Sequence, residues 1–254
     1  MQSFYNAMLD FIPLWWYNTI GDDNMSKLYI YHGSDHIVGL PQYGLGKSYN
    51  DYGLGFYCTE IIELAKEWAC YEKGKDGYAN TYSIETDGLN ILNLSDDNYN
   101  ILNWLAILLK NRHVNTSLPA ANQAKEYIIK NFDVDISKYD IIIGYRADDS
   151  YFSFVRDFVN NAISVEQLSN AMRLGKLGEQ VVLKSEKAFK KVEYLDSKTE
   201  FADSNIYFPK REKRNIDAQT QYLDTDRNVI DDDGMFVRDI IRKKITNENI
   251  KLYI

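Results

Sequence analysis

The chain has 254 residues and a formal net charge of −8, with 45% hydrophobic and 26% charged residues. This length allows a sizeable core, and the acidic balance argues against a general nucleic-acid binder, which would be basic. Two cysteines give no disulfide framework, and the apolar runs are too short to span a bilayer. The scattered histidines and cysteines have no metal-ligand spacing. We therefore expect a cytoplasmic protein with no membrane span and no metal.

Hydrophobic periodicity predicts strands and helices in mixed order, without regular βαβ alternation, which favours the α+β class. In chain order the predicted elements are strands at 28–31 and 55–58, a helix at 60–72, strands at 80–86 and 89–94, helices at 96–112 and 120–132, a strand at 139–143, helices at 152–161 and 165–174, strands at 180–184 and 188–194, and a helix at 236–245.

The composition changes after residue 195, where Asp, Asn, Lys and Arg become frequent. We predict an N-terminal extension at 1–24, one catalytic domain at 25–195, and a polar linker with a C-terminal amphipathic helix at 196–254. The basic run at 209–214 is interpreted as a solvated charge run, with contact to nucleic acid or to an acidic partner as the alternative.

Polar and aromatic residues mark the ends of the first two predicted strands. His32, Gly33 and Ser34 close the first strand, Tyr57 lies near the end of the second, and Trp68 follows eleven residues later on a helix. A glycine lets a ligand approach the backbone closely, and two aromatic faces can clamp a flat ring. These residues predict a ligand site, although a structural histidine and core-packing aromatics are the alternative.

Three motifs in this order resemble the ADP-ribosyltransferase superfamily, in the branch typified by diphtheria toxin and the poly(ADP-ribose) polymerases. They are Tyr-His-Gly-Ser at 31–34, Gly-Phe-Tyr-Cys-Thr at 55–59 and Leu-Gly-Glu-Gln-Val-Val-Leu at 177–183. With Tyr-Asp-Ile-Ile-Ile-Gly-Tyr-Arg-Ala-Asp-Asp at 139–149, the chain is also similar to a bacterial ADP-ribosyltransferase-like family of undefined function. The resemblance covers residues 25–194 and implies a split pair of β-sheets, surrounding helices and an NAD cleft.

The resemblance also implies how the first two motifs would hold NAD. His32 would bond the adenosine ribose, the Gly33 backbone would hold the nicotinamide amide, and Ser34 would lie beside them. Tyr57 and Trp68 would stack on the nicotinamide ring. His32 and Tyr57, with the glutamate of the third motif, would form the catalytic set.

The glutamate of the third motif corresponds to Glu179, which would bond the 2′-hydroxyl of the nicotinamide ribose. Breaking the glycosidic bond builds positive charge on the ribose, and a fixed carboxylate stabilises that charge most in the transition state. Gln180 and Val181 follow, so the second glutamate of the arginine-modifying branch is missing. This departure argues against arginine as the acceptor.

The dianionic cofactor needs local positive charge in an acidic protein, and Arg146 or Lys47 is expected to supply it. Arg146, Asp148 and Asp149 follow a buried strand, and with Gln180 they are candidates for the acceptor site. For the two aspartates, capping of the next helix is an equally weighted interpretation.

The resemblance therefore implies an enzyme that uses NAD as a substrate, transfers ADP-ribose to a protein or nucleic-acid acceptor and releases nicotinamide. It further implies a toxin in a toxin–antitoxin-like system, with a neutralising protein as partner. NAD hydrolysis, with water as acceptor, and a non-catalytic module that binds NAD or ADP-ribose remain the alternatives.

Overall fold

The computed structural model describes residues 27–114, 118–147, 151–176, 178–229 and 231–252. The predicted N-terminal extension and the acceptor candidates Asp148 and Asp149 lie outside the described residues. The described part forms two small β-sheets with helices around them, which confirms the α+β class.

The first sheet is antiparallel and is centred on β3 (Gly77–Glu85), an almost wholly buried strand. β1 (Lys27–Ser34) pairs along one edge of β3. β7 (Val192–Tyr194) and β8 (Glu200–Ala202) share the other edge. The first described strand and two strands from residues 192–202 therefore meet on β3.

The second sheet has the strand order β2 (Phe56–Cys58), β6 (Glu179–Leu183), β5 (Ile141–Tyr145) and β4 (Ile91–Asn93). Only the β4–β5 pair is parallel. β5 and β6 are rich in Ile and Val and are buried on both faces, as the continuous apolar pattern of central strands predicts.

The described helices range from 4 to 19 residues, and capping boxes at Asn100 and Ser164 begin two of them. Within the described residues, no helix is long and apolar enough to span a bilayer. The helices are α1 (Ile62–Ala69), α2 (Ile101–Asn111), α3 (Pro119–Phe132), α4 (Tyr151–Val159), α5 (Val165–Ala171), α6 (Glu186–Phe189), α7 (Ser204–Tyr222) and α8 (Val237–Arg242).

Alternation along β6 divides the core into two layers. Val181 and Leu183 pack with Ile30 and Tyr82 of the first sheet. Val182 points the other way and belongs to the cluster built on the helices. The second sheet is thus a middle layer, and neighbouring residues of β6 face different surroundings because side chains in a strand alternate.

The sequence predicts a polar linker and a C-terminal amphipathic helix at 196–254. α8 overlaps that predicted helix, whereas the stretch before it has more regular structure than a linker. It contains β8 and the 19-residue helix α7, which is followed by a helical turn at Leu223–Arg227. Few apolar residues signal this packing, but Ala202, Ala218 and Tyr222 are buried. Tyr207 and Phe208 add partly buried apolar contacts, and ion pairs supply further attachment, which hydrophobic periodicity does not reveal.

Candidate functional site

A cavity of about 840 Å³ opens between the two sheets, the β1–β2 loop and α1, and it falls in the size range of small-molecule sites. Residues from β1, β2, α1, β6 and α7, and from just beyond β5 and α2, line it. The described lining includes His32, Gly33, Leu40, Leu45, Lys47, Asp51, Tyr57, Trp68, Arg112, Arg146, Ala147, Gln180 and Arg211.

His32 and Tyr57 are brought together directly. The Nδ1 atom of His32 lies 2.7 Å from the Tyr57 carbonyl oxygen. A carbonyl only accepts hydrogen bonds, so Nδ1 carries the proton, and Nε2 is left as an acceptor in the neutral ring. Burial lowers the pKa of His32, which favours that neutral form. The ring can therefore accept a hydrogen bond from a ligand hydroxyl.

Asn80, which the sequence analysis missed, fixes the backbone around His32. Its Nδ2 donates to the His32 carbonyl oxygen at 3.1 Å and to Ser34 Oγ at 2.8 Å, and its Oδ1 accepts from the Val38 amide at 2.9 Å. Ser34 Oγ in turn donates to the His36 carbonyl oxygen at 2.7 Å. Ser34 thus takes part in a turn and is not a lining residue of the cavity. An asparagine inside an apolar strand was the available signal.

Gly33 lines the cavity, but its small size is needed for a different reason than the one predicted. A Cβ at this position would lie 2.0 Å from the Ala65 carbonyl oxygen and 2.8 Å from the Ala69 amide nitrogen. The backbone of α1, rather than a ligand, makes the close approach. β1 also continues through Gly33 and Ser34, which pair with Ala79 and Tyr78.

Tyr57 connects the cavity wall to the glycine-rich loop. Its hydroxyl donates to the Gly53 carbonyl oxygen at 2.5 Å and accepts from the Tyr52 amide at 3.0 Å. Burial raises the pKa of Tyr57, so the phenol stays protonated and keeps both bonds. The residue therefore anchors the loop and presents its ring to the cavity.

Trp68 contacts a cation rather than another ring. The guanidinium carbon of Arg146 lies 4.0 Å from the Trp68 ring centroid, a cation–π geometry. Both residues line the cavity. One face of the indole is covered by Arg146, so a flat ligand ring would have only the other face or would have to displace the guanidinium.

Glu179 and Gln180 occupy opposite faces of β6, and it is Gln180 that lines the cavity. Gln180 is 6% exposed, and its Oε1 has no hydrogen-bond partner among the described residues. Glu179 lies outside the cavity lining, where its Oε1 accepts a hydrogen bond from Ser95 Oγ. The structure therefore places Gln180, rather than the expected Glu179, in the cavity lining, because side chains of a strand alternate between its faces.

The environment of Glu179 is nevertheless unusual for a carboxylate. Burial and the nearby charge of Asp96 raise its pKa, and the hydrogen bond from Ser95 opposes them. A raised carboxyl pKa is common at functional sites and also arises in structural settings. Here the group lies next to the cavity lining without belonging to it.

The described carboxylate in the cavity lining is Asp51, which the sequence analysis also missed. Its Oδ1 pairs with Arg112 Nη1 at 3.0 Å, and its Oδ2 accepts from the Ala147 amide at 2.9 Å. The Arg112 guanidinium lies over the Phe152 ring at 4.3 Å. These contacts join residues distant in sequence, so no local motif signals them.

The charge of the lining is opposite to that of the whole chain. The described lining residues include four cations, Lys47, Arg112, Arg146 and Arg211, against the single carboxylate Asp51. The chain as a whole carries −8. Lys47 and Arg146, which were expected to compensate the charge of the cofactor, are in this lining. Arg112 and Arg211 are two further lining cations that the sequence did not indicate. In the described part of the chain, no group of three or more His, Cys, Asp or Glu residues could hold a metal ion.

Fold and site together define a class, an α+β protein with two small sheets and a cation-lined cavity beside a strand histidine. A family model described as a protein of unknown function (DUF3990) matches residues 28–194, and the chain belongs to this family. Neither curated proteins nor solved structures gave a match. The matched residues end at Tyr194, so β8 and α7 lie outside the matched region.

Proposed function

We propose that the cavity binds NAD as a substrate, and that the chain transfers ADP-ribose from it to a macromolecular acceptor and releases nicotinamide. The observation that carries the proposal is the His32–Tyr57 contact inside a cation-lined cavity of an acidic chain. A dinucleotide presents phosphates, ribose hydroxyls and flat rings. Cations, a neutral imidazole and aromatic faces are the groups that recognise them.

An ADP-ribosyltransferase-type fold is part of this proposal. It is supported by two small sheets that contribute His32 from β1 and Tyr57 from β2 to one cavity. The bridge between Tyr31 and Thr59 holds β1 beside the end of β2. A cleft between two sheets would place a bound dinucleotide across both strands.

The chemistry requires stabilisation of positive charge on the ribose as nicotinamide leaves. Gln180 lines the cavity, and its buried amide oxygen has no hydrogen-bond partner among the described residues. A rotation of the side chain would let this oxygen accept a hydrogen bond from a ribose hydroxyl and direct the negative end of the amide dipole at the sugar. A full carboxylate at such a place would contribute more, on the order of 2.7–4 kcal/mol. We therefore expect a slow reaction, in which His32 and Gln180 position the ribose and Tyr57 supports the ring.

The rim of the cavity favours a macromolecule over water as acceptor. Leu40, Tyr43, Leu45 and Tyr49 of the glycine-rich loop are each more than half exposed. Exposed apolar side chains grouped beside a site are typical of protein-binding surfaces. The same rim suits a neutralising protein, so we extend the proposal to a cytoplasmic toxin with such a partner.

A second candidate function is a module that binds NAD or ADP-ribose without catalysis. The specific observation in its favour is that β6 presents Gln180, rather than Glu179, to the cavity. Such a module would keep the cations and the His32–Tyr57 contact and lack the charge that drives bond cleavage.

Incubation of the full chain with NAD labelled in its adenylate phosphate and a cell lysate, with and without nuclease, tests the proposal. We expect label in a macromolecule together with nicotinamide release, measured by chromatography. Release without label would indicate hydrolysis. Calorimetric binding of NAD with no release would support the binding module, and no binding at all would reject both.

Three variants locate the chemistry on β6. We expect Gln180→Ala to lower nicotinamide release and Gln180→Glu to raise it on the order of a hundredfold. Glu179→Gln is the matched control on the opposite face and should leave release unchanged. Loss of release in Glu179→Gln alone would reverse the assignment and restore Glu179 as the reacting carboxylate.

A further inference from the structure

Helix α7 is fixed to α1 by a buried ion pair, although it lies outside the residues that match the family. Arg214 donates from Nε to Glu67 Oε2 at 2.8 Å and from Nη2 to Glu67 Oε1 at 2.7 Å. The Glu67 side chain is only 4% exposed. Arg214 also donates to the Gly175 carbonyl oxygen at 2.6 Å, close before β6. This geometry holds α7 against the helix that carries Trp68.

Two further contacts hold the first half of α7. Lys210 Nζ lies 3.2 Å from Glu63 Oε2, and the Tyr207 hydroxyl donates to Glu63 Oε1 at 3.2 Å. Glu63 and Glu67 are one turn apart on α1, so both lie on the side that meets α7. The basic run of α7 therefore has an acidic partner within the chain, which differs from the predicted solvated charge run.

Arg211 lies three residues before Arg214, on the same side of α7, and lines the cavity. Its Nη1 donates to the Tyr71 carbonyl oxygen at 2.8 Å, just after Trp68 in sequence. Among the described residues, no carboxylate forms an ion pair with Arg211, unlike Lys210 and Arg214 on the same helix. One donor is thus used for anchoring, and the guanidinium keeps further N–H donors and its full charge.

We propose that Arg211 contacts the diphosphate of the cavity's ligand and is a specificity-determining residue that α7 adds to the matched domain. The inference rests on the proposed function, since the ligand class is a nucleoside diphosphate such as the ADP-ribose part of NAD. A planar guanidinium matches phosphate oxygens in a two-pronged geometry. A chain of net charge −8 also requires local cations to bind such an anion.

Calorimetric titration of the full chain with ADP-ribose, ADP and adenosine tests this assignment. A hydrogen bond to a charged group is worth about 1.5–3 kcal/mol, so Arg211→Ala should weaken ADP-ribose and ADP binding about ten- to hundredfold. Adenosine has no phosphate, and its binding should stay within about twofold of wild type. Arg211→Lys keeps the positive charge but loses the planar two-pronged donor geometry, so its affinity for ADP should lie between those of wild type and Arg211→Ala.

Lys213→Ala is the matched control, because Lys213 is exposed on the same helix and its loss changes the net charge equally. We expect it to leave ADP binding within about twofold, and thermal unfolding should show all variants folded. Equal weakening by Arg211→Ala and Lys213→Ala, equal weakening toward adenosine, or no binding of ADP by wild type would each overturn the proposal.

The two proposals can fail separately. ADP binding that depends on Arg211 in a chain without NAD turnover would uphold this inference and reject the transferase. NAD turnover with a wild-type KM in Arg211→Ala would uphold the transferase and reject the role of Arg211.

Discussion

Two arginine–carboxylate pairs of this fold have the same burial and differ in what they face. Glu67–Arg214 joins α1 to α7, and Asp51–Arg112 joins the glycine-rich loop to the end of α2. In each pair the carboxylate side chain is 4% exposed and the arginine is 26% exposed. Only the second pair lines the cavity. Burial and ion pairing alone therefore do not separate an architectural pair from one that belongs to a site.

The hydrogen-bond geometry of the two pairs shows the difference more clearly. Glu67 accepts two bonds from Arg214, at 2.8 and 2.7 Å. Asp51 accepts one bond from Arg112 at 3.0 Å, and its other oxygen takes the Ala147 amide. The bidentate pair commits the guanidinium to its carboxylate, whereas the monodentate pair leaves further N–H donors on Arg112, a residue of the cavity lining.

The largest expected effect comes from breaking the architectural pair. Arg214→Ala leaves the Glu67 carboxylate buried without its cation, which should lower the free energy of unfolding by about 3–5 kcal/mol. Urea denaturation measures this loss. The double variant Glu67→Leu with Arg214→Met removes both charges and should recover most of it. A loss below about 1 kcal/mol in the single variant would show that the pair is effectively solvated.

The other side of α1 gives the second prediction. Gly33→Ala would place a Cβ 2.0 Å from the Ala65 carbonyl oxygen, so α1 would have to move away from β1. We expect a loss of about 3 kcal/mol in stability, at the upper end for overpacking, and weaker ligand binding as Trp68 shifts. Gly39→Ala is the control, since its nearest neighbours would be 3.9 Å away. Equal stability of both variants would contradict the close packing.

Local patterns explain how much of this fold could be predicted. The predicted strands at 28–31, 55–58, 139–143 and 180–184 overlap β1, β2, β5 and β6, because alternation and apolar runs are local signals. α7 was missed for the opposite reason. It is held largely by polar contacts such as Glu67–Arg214, whose partners are 147 residues apart.

The site divides in the same way. His32, Tyr57, Trp68 and Arg146 could be found because strand ends and motifs point to them, and the cavity brings them together. Asp51 and Arg112 could not, since they are 61 residues apart and neither lies in a motif. Whether Glu179 or Gln180 lines the cavity depends on which face of β6 is turned toward it. That orientation is set by the pairing of β6 with β2 and β5, which a local sequence pattern does not reveal.

The third prediction replaces the carboxylate of each pair by an amide of nearly the same shape. This removes one negative charge and one accepted hydrogen bond, because both oxygens of Asp51 and of Glu67 accept bonds. Asp51→Asn makes the cavity more cationic and should tighten ADP binding by about 1 kcal/mol, roughly fivefold, at low salt. Glu67→Gln changes the charge outside the cavity and should leave ADP affinity within about twofold. Calorimetry at two salt concentrations makes the comparison. Equal tightening in both variants would mean that net charge, rather than the cavity, sets the affinity.

The smallest effect concerns Glu179, a half-buried carboxylate whose hydrogen-bond partner is the neutral Ser95 rather than an arginine. Burial raises the pKa of Glu179, so the folded state binds its proton more tightly than the unfolded state does. Stability contributed by that proton is present at acidic pH and is lost as the pH rises through the carboxyl titration. Glu179→Gln should therefore stabilise the chain at pH 7, by up to about 0.5 kcal/mol, and lose this advantage at acidic pH. A stability difference that does not change with pH would show that the Glu179 carboxylate is solvated in the folded state, in contrast to the paired carboxylates Asp51 and Glu67.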